Sequence, residues 1–469
     1  MSNIYITVVV LYLVLMILMG VYYAKREVKT SEDFMVAGRR LPRIIMIGTL
    51  LATWVGSGTV VGGASFIYQY GPLASIIYFA GAPIGIFILY FIADKARALS
   101  KYTVPEMLEV KFGKHTRTIA AIFILLAYVG ITSYQFIGGG YVLNITTGIS
   151  VEMGTLITAA LVIFLATTGG MFSVAYTDFL SSFLIVIGFI IGIPFALSAA
   201  GGVDGLTTGL SEAQLSWTGG LTVTQLIGFF LPTFLLILGD QNMYQRFSSA
   251  KTPAVAKKST VGFFFGDLLI VGLAITLATC SIVLFPNIPA DTAIIELAAS
   301  GLPIGIGSLI LAASVAFIIT TGNSYLLSSA GNLVYDLIQG FRKKKIPENK
   351  LLGLNRYIVI LLGAFAYIIG QFFPTVLAIQ MYSYTMYGAA ITPTILASFL
   401  WKRATTPGVL TSIITGGVAT LFWEMALQRP MGWNSVLISL PLSVAALIVV
   451  SLLTKPKQLE AQSSKVVND

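Results

Sequence analysis

Leu51-Ala-Thr-Trp-Val-Gly-Ser-Gly-Thr-Val-Val-Gly-Gly-Ala-Ser65 is the stretch whose reading decides the fold. It lies inside an apolar run from Ile44 to about Tyr68, and such a run is long enough to cross a bilayer. Four glycines (Gly56, Gly58, Gly62, Gly63) and five hydroxyl or indole side chains (Thr53, Trp54, Ser57, Thr59, Ser65) interrupt it. Glycine lowers the cost of leaving helical backbone. Irregular backbone at membrane depth persists only where it is buried in protein or lines a watery cavity. The stretch therefore reads as a broken helix whose freed carbonyls bind a cation beside a solute pocket. The competing reading is a packing face of small residues.

The rest of the chain fits a membrane setting. Of 469 residues, 56% are hydrophobic and 10% charged, whereas soluble domains carry about 25% charged residues. One cysteine, Cys280, excludes an internal disulfide framework, and one histidine, His115, leaves little material for metal clusters or imidazole catalysis. The first apolar run, Ile4 to Ala24, lacks a basic leader and a small-residue cleavage site, and reads as a retained helix.

About 13 spans are expected, near 4–24, 44–69, 72–93, 118–146, 152–171, 177–200, 221–243, 259–285, 302–335, 355–373, 376–400, 405–427 and 433–454. A short turn at 172–176 separates the fifth and sixth, and the ninth emerges as a cytoplasmic helix. With the N-terminus outside and the C-terminus cytoplasmic, nearly every Lys and Arg falls on the inner side, Arg246 in the loop 244–258 among them. Only Arg429 lies outside. This is the positive-inside pattern. It explains the net charge of +9 as topology and contact with anionic lipid rather than nucleic-acid binding. The Lys343-Lys-Lys345 run reads as a loop anchor and the tail after Thr454 as frayed.

Segment seven, Pro232-Thr-Phe-Leu-Leu-Ile-Leu-Gly-Asp-Gln-Asn242, is interrupted like segment two. Two such segments five spans apart point to an inverted-repeat transporter. The expected organisation is 1–43 (first helix and cytoplasmic loop), 44–200 (first repeat), 221–404 (second repeat) and 405–469 (two peripheral helices and tail).

Ionisable groups inside spans are functional hypotheses by default. Asp178, Asp240 and Asp267 are the candidates. Asp178 reads as a cation ligand or a helix N-cap. Asp267 reads as functional or as a helix–helix hydrogen bond, and His115 as a solvated loop residue. Phe317-Ile-Ile-Thr-Thr-Gly-Asn-Ser324 gathers hydroxyls, hard ligands suited to a small hard cation. Thr320 and Ser324 share a helix face, and Thr321 points about 100° away. One face is expected to meet the carbonyls of Ala52 and Val55, the other Asp178. Bonding back to their own helix is the alternative.

Several motifs resemble the sodium:solute symporter family over about residues 5–455. They are Ser31-Glu-Asp-Phe-Met-Val-Ala-Gly-Arg39, Tyr102-Thr-Val-Pro-Glu-Met-Leu-Glu-Val-Lys-Phe-Gly113 and Gly169 to Asp178, then Asp240-Gln241 with Gln245-Arg246, and Trp401-Lys-Arg-Ala-Thr-Thr-Pro-Gly408. The resemblance implies an all-α polytopic membrane protein with a five-plus-five, leucine-transporter-like core. It also implies sodium-coupled uptake of a small solute by alternating access, and no enzyme activity. Carried over by residue, it implies a sodium site of Ala52, Val55 and Phe317 carbonyls with Thr320 and Thr321 hydroxyls. A second sodium would use Asp178, Thr320, Asn323 and Ser324, although Asn323 stands where those members carry Ser. The expected solute contacts are Thr53, Trp54, Ser57, Thr59, Phe136, Asp240 and Gln241, with Tyr134 a further aromatic candidate. Residues 52–58 and 173–178 look most like the choline-transporter branch, but Gly239-Asp-Gln241 replaces a tryptophan of that branch. Amino acids, other carboxylates, vitamins and choline-like cations all stay open as solutes. Proton coupling through Asp178 and a non-transporting solute receptor are the alternatives.

Overall fold

The computed structural model describes residues 3–99, 101–342 and 346–455; the 343–345 anchor and the tail from 456 lie outside them. Helices account for nearly all of it. The first half comprises α1 (Asn3–Arg26), α2 (Ser31–Val36), α3 (Arg43–Trp54), α4 (Ala64–Leu89), α5 (Ala93–Leu99), α6 (Val104–Phe112), α7 (Lys114–Thr147), α8 (Val151–Ala199) and α9 (Gly202–Gly209). The second comprises α10 (Val223–Gly239), α11 (Gln241–Ser249), α12 (Pro253–Leu284), α13 (Ala293–Glu296), α14 (Ile304–Gly331), α15 (Gln339–Phe341), α16 (Glu348–Gly370), α17 (Val376–Ala390), α18 (Thr392–Leu400), α19 (Thr406–Leu421) and α20 (Val436–Leu453). Among the described residues there is no β-strand, only an isolated bridge between Leu41 and Ala250.

Ten helical stretches among the described residues are long and apolar enough to cross a membrane, and Arg43–Trp54 and Val151–Thr167 are shorter apolar helices. The difference from about 13 spans has a physical cause, because helix breaks do not fall where apolar runs end. Gly58–Leu89 runs through a kink at Gly71, which joins the second half of one expected span to the next. Residues 376–400 are split at Ile391 into two short helices.

Hydroxyl caps mark where helices begin. Thr30, Thr103, Ser150, Thr222, Thr252, Thr375 and Thr405 each accept a backbone N–H of the first turn. Each such cap stabilises a helix by about 1 kcal/mol. The expected 172–176 turn is helical instead. The break falls at Gly170, whose φ of 53° and close approach to Phe34 suit glycine. Asp178 therefore lies inside a helix and caps nothing. Residues 244–258 are likewise mostly helical, and Arg246 is fully buried rather than a loop cation. His115 is exposed at the start of α7.

At the centre, α14 is buried along most of its length and packs against α1, α7 and α8. Each break exposes backbone groups at membrane depth, and neighbouring side chains satisfy them. Tyr387 donates to Gly239 O at 2.7 Å, Thr392 to Leu235 O at 2.7 Å and Tyr244 to Leu238 O at 2.8 Å. The end of α10 is thus capped by three hydroxyls, two of them from α17 and α18.

Candidate functional site: a broken helix facing two threonines

Helix α3 ends at Trp54. Val55 takes extended backbone (φ −85°, ψ 103°), and a π-helical turn over Gly58–Gly63 resumes the chain. The N–H of Ser57 donates to Gln135 Oε1 on α7 at 2.9 Å. Carbonyls near residues 52–55 lose their helical partners here. The Thr321 hydroxyl of α14 donates to Ala52 O at 2.7 Å and lies 3.4 Å from Val55 O. Thr320 Oγ1 contacts Phe317 O at 3.3 Å and faces Asp178. A Cβ at position 56 would stand 2.8 Å from Thr321 Oγ1, so glycine there lets the two segments touch. Ala52, Val55, Phe317, Thr320 and Thr321 are thereby brought together, all fully or nearly fully buried. Their oxygens are the hard, neutral donors that suit an alkali ion.

The second cluster holds a positive charge of its own. Thr49 donates to Asp178 Oδ2 at 2.6 Å, and Arg246 Nη2 lies 3.3 Å from the same oxygen. Arg246 also donates to Ser324 Oγ at 2.7 Å, to Thr49 O at 3.2 Å and to Thr49 Oγ1 at 3.0 Å. Both partners of this ion pair are fully buried. Asp178 and Ser324 thus hold a guanidinium in this conformation, while Asn323 Oδ1 makes no hydrogen bond among the described residues.

The expected solute contacts separate. Trp54 and Thr59 line a small cavity with Gly58, Tyr78, Phe79, Thr233, Gln380 and Tyr384. Its free volume is about 10 Å³, room for roughly one water. The Trp54 and Tyr384 rings lie near-parallel, their centroids 6.2 Å apart. Gln380 donates to Tyr78 Oη at 3.1 Å and leaves Oε1 without a partner among the described residues. The other five residues are not among those lining the cavity. Thr53 bonds back to Thr49 O, and Ser57 bonds Tyr134 O and Gln135. Phe136 is buried. Asp240 caps α11 and accepts from Tyr128 and Tyr325. Gln241 accepts from Val104 N at 3.1 Å.

Gln380 and Tyr384 were missed in the sequence, although the polar run Gln380-Met-Tyr-Ser-Tyr-Thr-Met-Tyr387 inside an apolar span is the signal that marks them.

Two ends frame this core. At the end that the charge pattern assigns to the outside, a cavity of about 230 Å³ is lined by Gln69, Tyr70, Phe229, Leu377, Met381 and Arg429, among others. At the end that the charge pattern assigns to the cytoplasm, the elements are tied. Arg117 pairs with Asp336 (2.7 Å), Glu109 (2.6 Å) and Glu106 (3.1 Å). Arg97 donates to Ala250 O at 2.7 Å, and Lys111 contacts three carbonyls that close α18.

The sequence profile of the sodium:solute symporter family matches residues 34–416, and the chain belongs to that family. Membership brings sodium with it as the coupling ion and makes the chain a multi-pass membrane transporter. Sodium/proline symporter 2 of Staphylococcus saprophyticus is 25% identical over 88% of this chain and 85% of its own length. The sodium/glucose cotransporter of Vibrio parahaemolyticus is 25% identical over 100% of this chain and 95% of its own. A solved Na+-coupled sialic acid symporter, outward-open with substrate bound, superposes with a TM-score of 0.83 at 20% identity, covering 98% of this chain and 100% of that one. The likeness shows a shared fold.

Proposed function

We propose that this protein imports a small organic solute together with sodium by alternating access, with its N-terminus outside and its C-terminus in the cytoplasm. The observation that carries the reading is the 2.7 Å contact between Thr321 Oγ1 and Ala52 O. It joins α14 to the broken end of α3, so an ion bound between them rigidifies the wall of the Trp54 cavity. Sodium would be held by the carbonyls of Ala52, Val55 and Phe317 and the hydroxyls of Thr320 and Thr321. The Thr321 hydroxyl would turn its proton away and offer a lone pair. Ion and solute then favour the same arrangement, and each raises the affinity for the other by an equal factor. A second ion at Asp178 would have to displace Arg246, so one sodium per cycle is the reading favoured here.

The relatives named above are symporters of proline, glucose and sialic acid, so the solute is inferred from the cavity. No acidic or basic side chain is among its lining residues. A solute with net charge would lose hydration without an ionic partner, a cost of several kcal/mol. Small solutes whose polar groups can be met by hydroxyls and the Gln380 amide fit best. In proteoliposomes, an inward sodium gradient should drive accumulation of such a solute, and a choline-like cation should not compete. Competition by the cation, or uptake indifferent to sodium, would sink the reading.

A further inference from the structure

Asp267 lies midway along α12, on the face that also buries Ser259, Phe263, Ile270 and Ala274. Its side chain is fully buried, and neither carboxylate oxygen has a hydrogen-bond partner among the described residues. The residues beside it press on apolar groups. A Cβ on Gly266 would meet Leu51 at 2.7 Å, and one on Gly262 would meet Ile47 at 2.4 Å.

No cation among the described residues forms a salt bridge with it. Helix α3 carries Arg43 alone, eight positions below Leu51, or about 12 Å along the axis. Helix α4 offers only tyrosines, and α8, on the half that adjoins α3, only Tyr176 and Asp178. On α11, Arg246 is committed to Asp178. At the cytoplasmic ends, Lys257 of α12 pairs with Asp94 of α5, beside Lys258, Lys95 and Arg97. At the outer ends lie Glu296 and Asp204, which add no positive charge.

An ionised carboxylate in such a place has lost its water and gained nothing in exchange. Acidic groups in spans normally find a partner, and Asp178 in this chain has one. We infer that Asp267 is a proton-binding site whose carboxyl carries a proton in this conformation. The proton comes from water onto a carboxylate oxygen, and no other bond is broken. Helix α12 packs on α3 and α4, the two sides of the break. Movement at that seam during the cycle therefore admits water and lets the proton leave. This second half rests on the alternating-access reading; the proton itself does not.

Two measurements on the full-length protein test the inference. Infrared spectroscopy of the purified protein at neutral pH should show a carboxylic-acid carbonyl band that disappears in Asp267→Asn. Uptake by the wild type should fall as pH rises, with the protonated population dropping about tenfold per pH unit above the midpoint, and Asp267→Asn should be nearly flat. No acid band at neutral pH, or a variant whose pH profile follows the wild type, overturns the proposal. A flatter sodium dependence in the variant without an acid band would also overturn it, because the occupant would then be sodium. Should Asp267→Asn fail to fold, Asp267→Glu decides instead, because it should shift the band in frequency, and an unshifted band would overturn the proposal. Loss of sodium-driven uptake in the wild type would sink the symport reading and leave the infrared result standing.

Discussion

The Thr321 hydroxyl spans two parts of the chain 266 positions apart, from α14 to Val55 at 3.4 Å, and it reaches Ala52 more closely still. Thr321→Ser keeps the oxygen and should transport nearly as the wild type does. Gly56→Ala places a methyl against that hydroxyl and should raise the half-saturating sodium concentration by about tenfold, equivalent to roughly 1.4 kcal/mol. Sodium-dependent uptake with expression controls checks both. Arg246 tests the neighbouring cluster. Arg246→Ala leaves Asp178 buried without its countercharge, which costs about 3–5 kcal/mol. Arg246→Met with Asp178→Asn should recover much of that loss, as read by thermal unfolding in detergent. The meeting of Thr321 with the end of α3 was legible, because a glycine-broken apolar run and a hydroxyl-rich turn each have a local signature. The Asp178–Arg246 pair was not. Sixty-eight positions separate the two, and a basic residue just past an apolar run looks like a loop anchor until the helix after the break is seen to turn inward.

Among elements, the helix breaks differ in how plainly they are written in the sequence. The α3 break follows its glycines. The α8 break was read a few residues late, at 172–176 rather than at Gly170. Thr177 instead bonds back to Ser173 O at 3.0 Å within a continuous helix. The α10 end depends on hydroxyls from α17 and α18, whose contacts no local pattern reveals. Tyr387→Phe should therefore leave the Gly239 carbonyl short of a donor and cost about 1–3 kcal/mol, measured by chemical unfolding. Between α12 and α13, Asp291 accepts from Val376 N at 3.2 Å, at the start of α17. Burial raises its carboxyl above the ordinary carboxylate range. The folded state thus holds this proton more tightly than the unfolded chain does. Its contribution to stability is greatest below the ordinary carboxylate value and declines as pH rises through the window up to the raised folded value. The difference in melting temperature between wild type and Asp291→Asn should follow that decline.

For the whole molecule, the cavity beside Arg429 and the ties around Arg117 and Lys111 support, under the proposed orientation, a carrier closed on the inside. The charge pattern along the chain foretold a multi-pass protein, but it did not show which inner charges act as ties. Arg117 reads as a helix-end cation in the sequence, yet it gathers three carboxylates in the fold. Arg117→Ala should loosen that end, so a cysteine placed at Gln241 becomes more reactive to a reagent added from the cytoplasmic side. The native Cys280 is buried and adds little background. Unchanged labelling would mean that other contacts keep the inside closed.

Equilibrium binding of radioactive sodium to the purified protein bears most directly on the central claim. Wild type should bind sodium saturably, and more tightly when solute is present. Thr321→Ala should bind it at least about tenfold more weakly, whereas Thr321→Ser, which keeps the oxygen, should bind it nearly as the wild type does. Equal sodium affinity in wild type and Thr321→Ala would contradict the account, because the ion would then lie somewhere other than the α3 break.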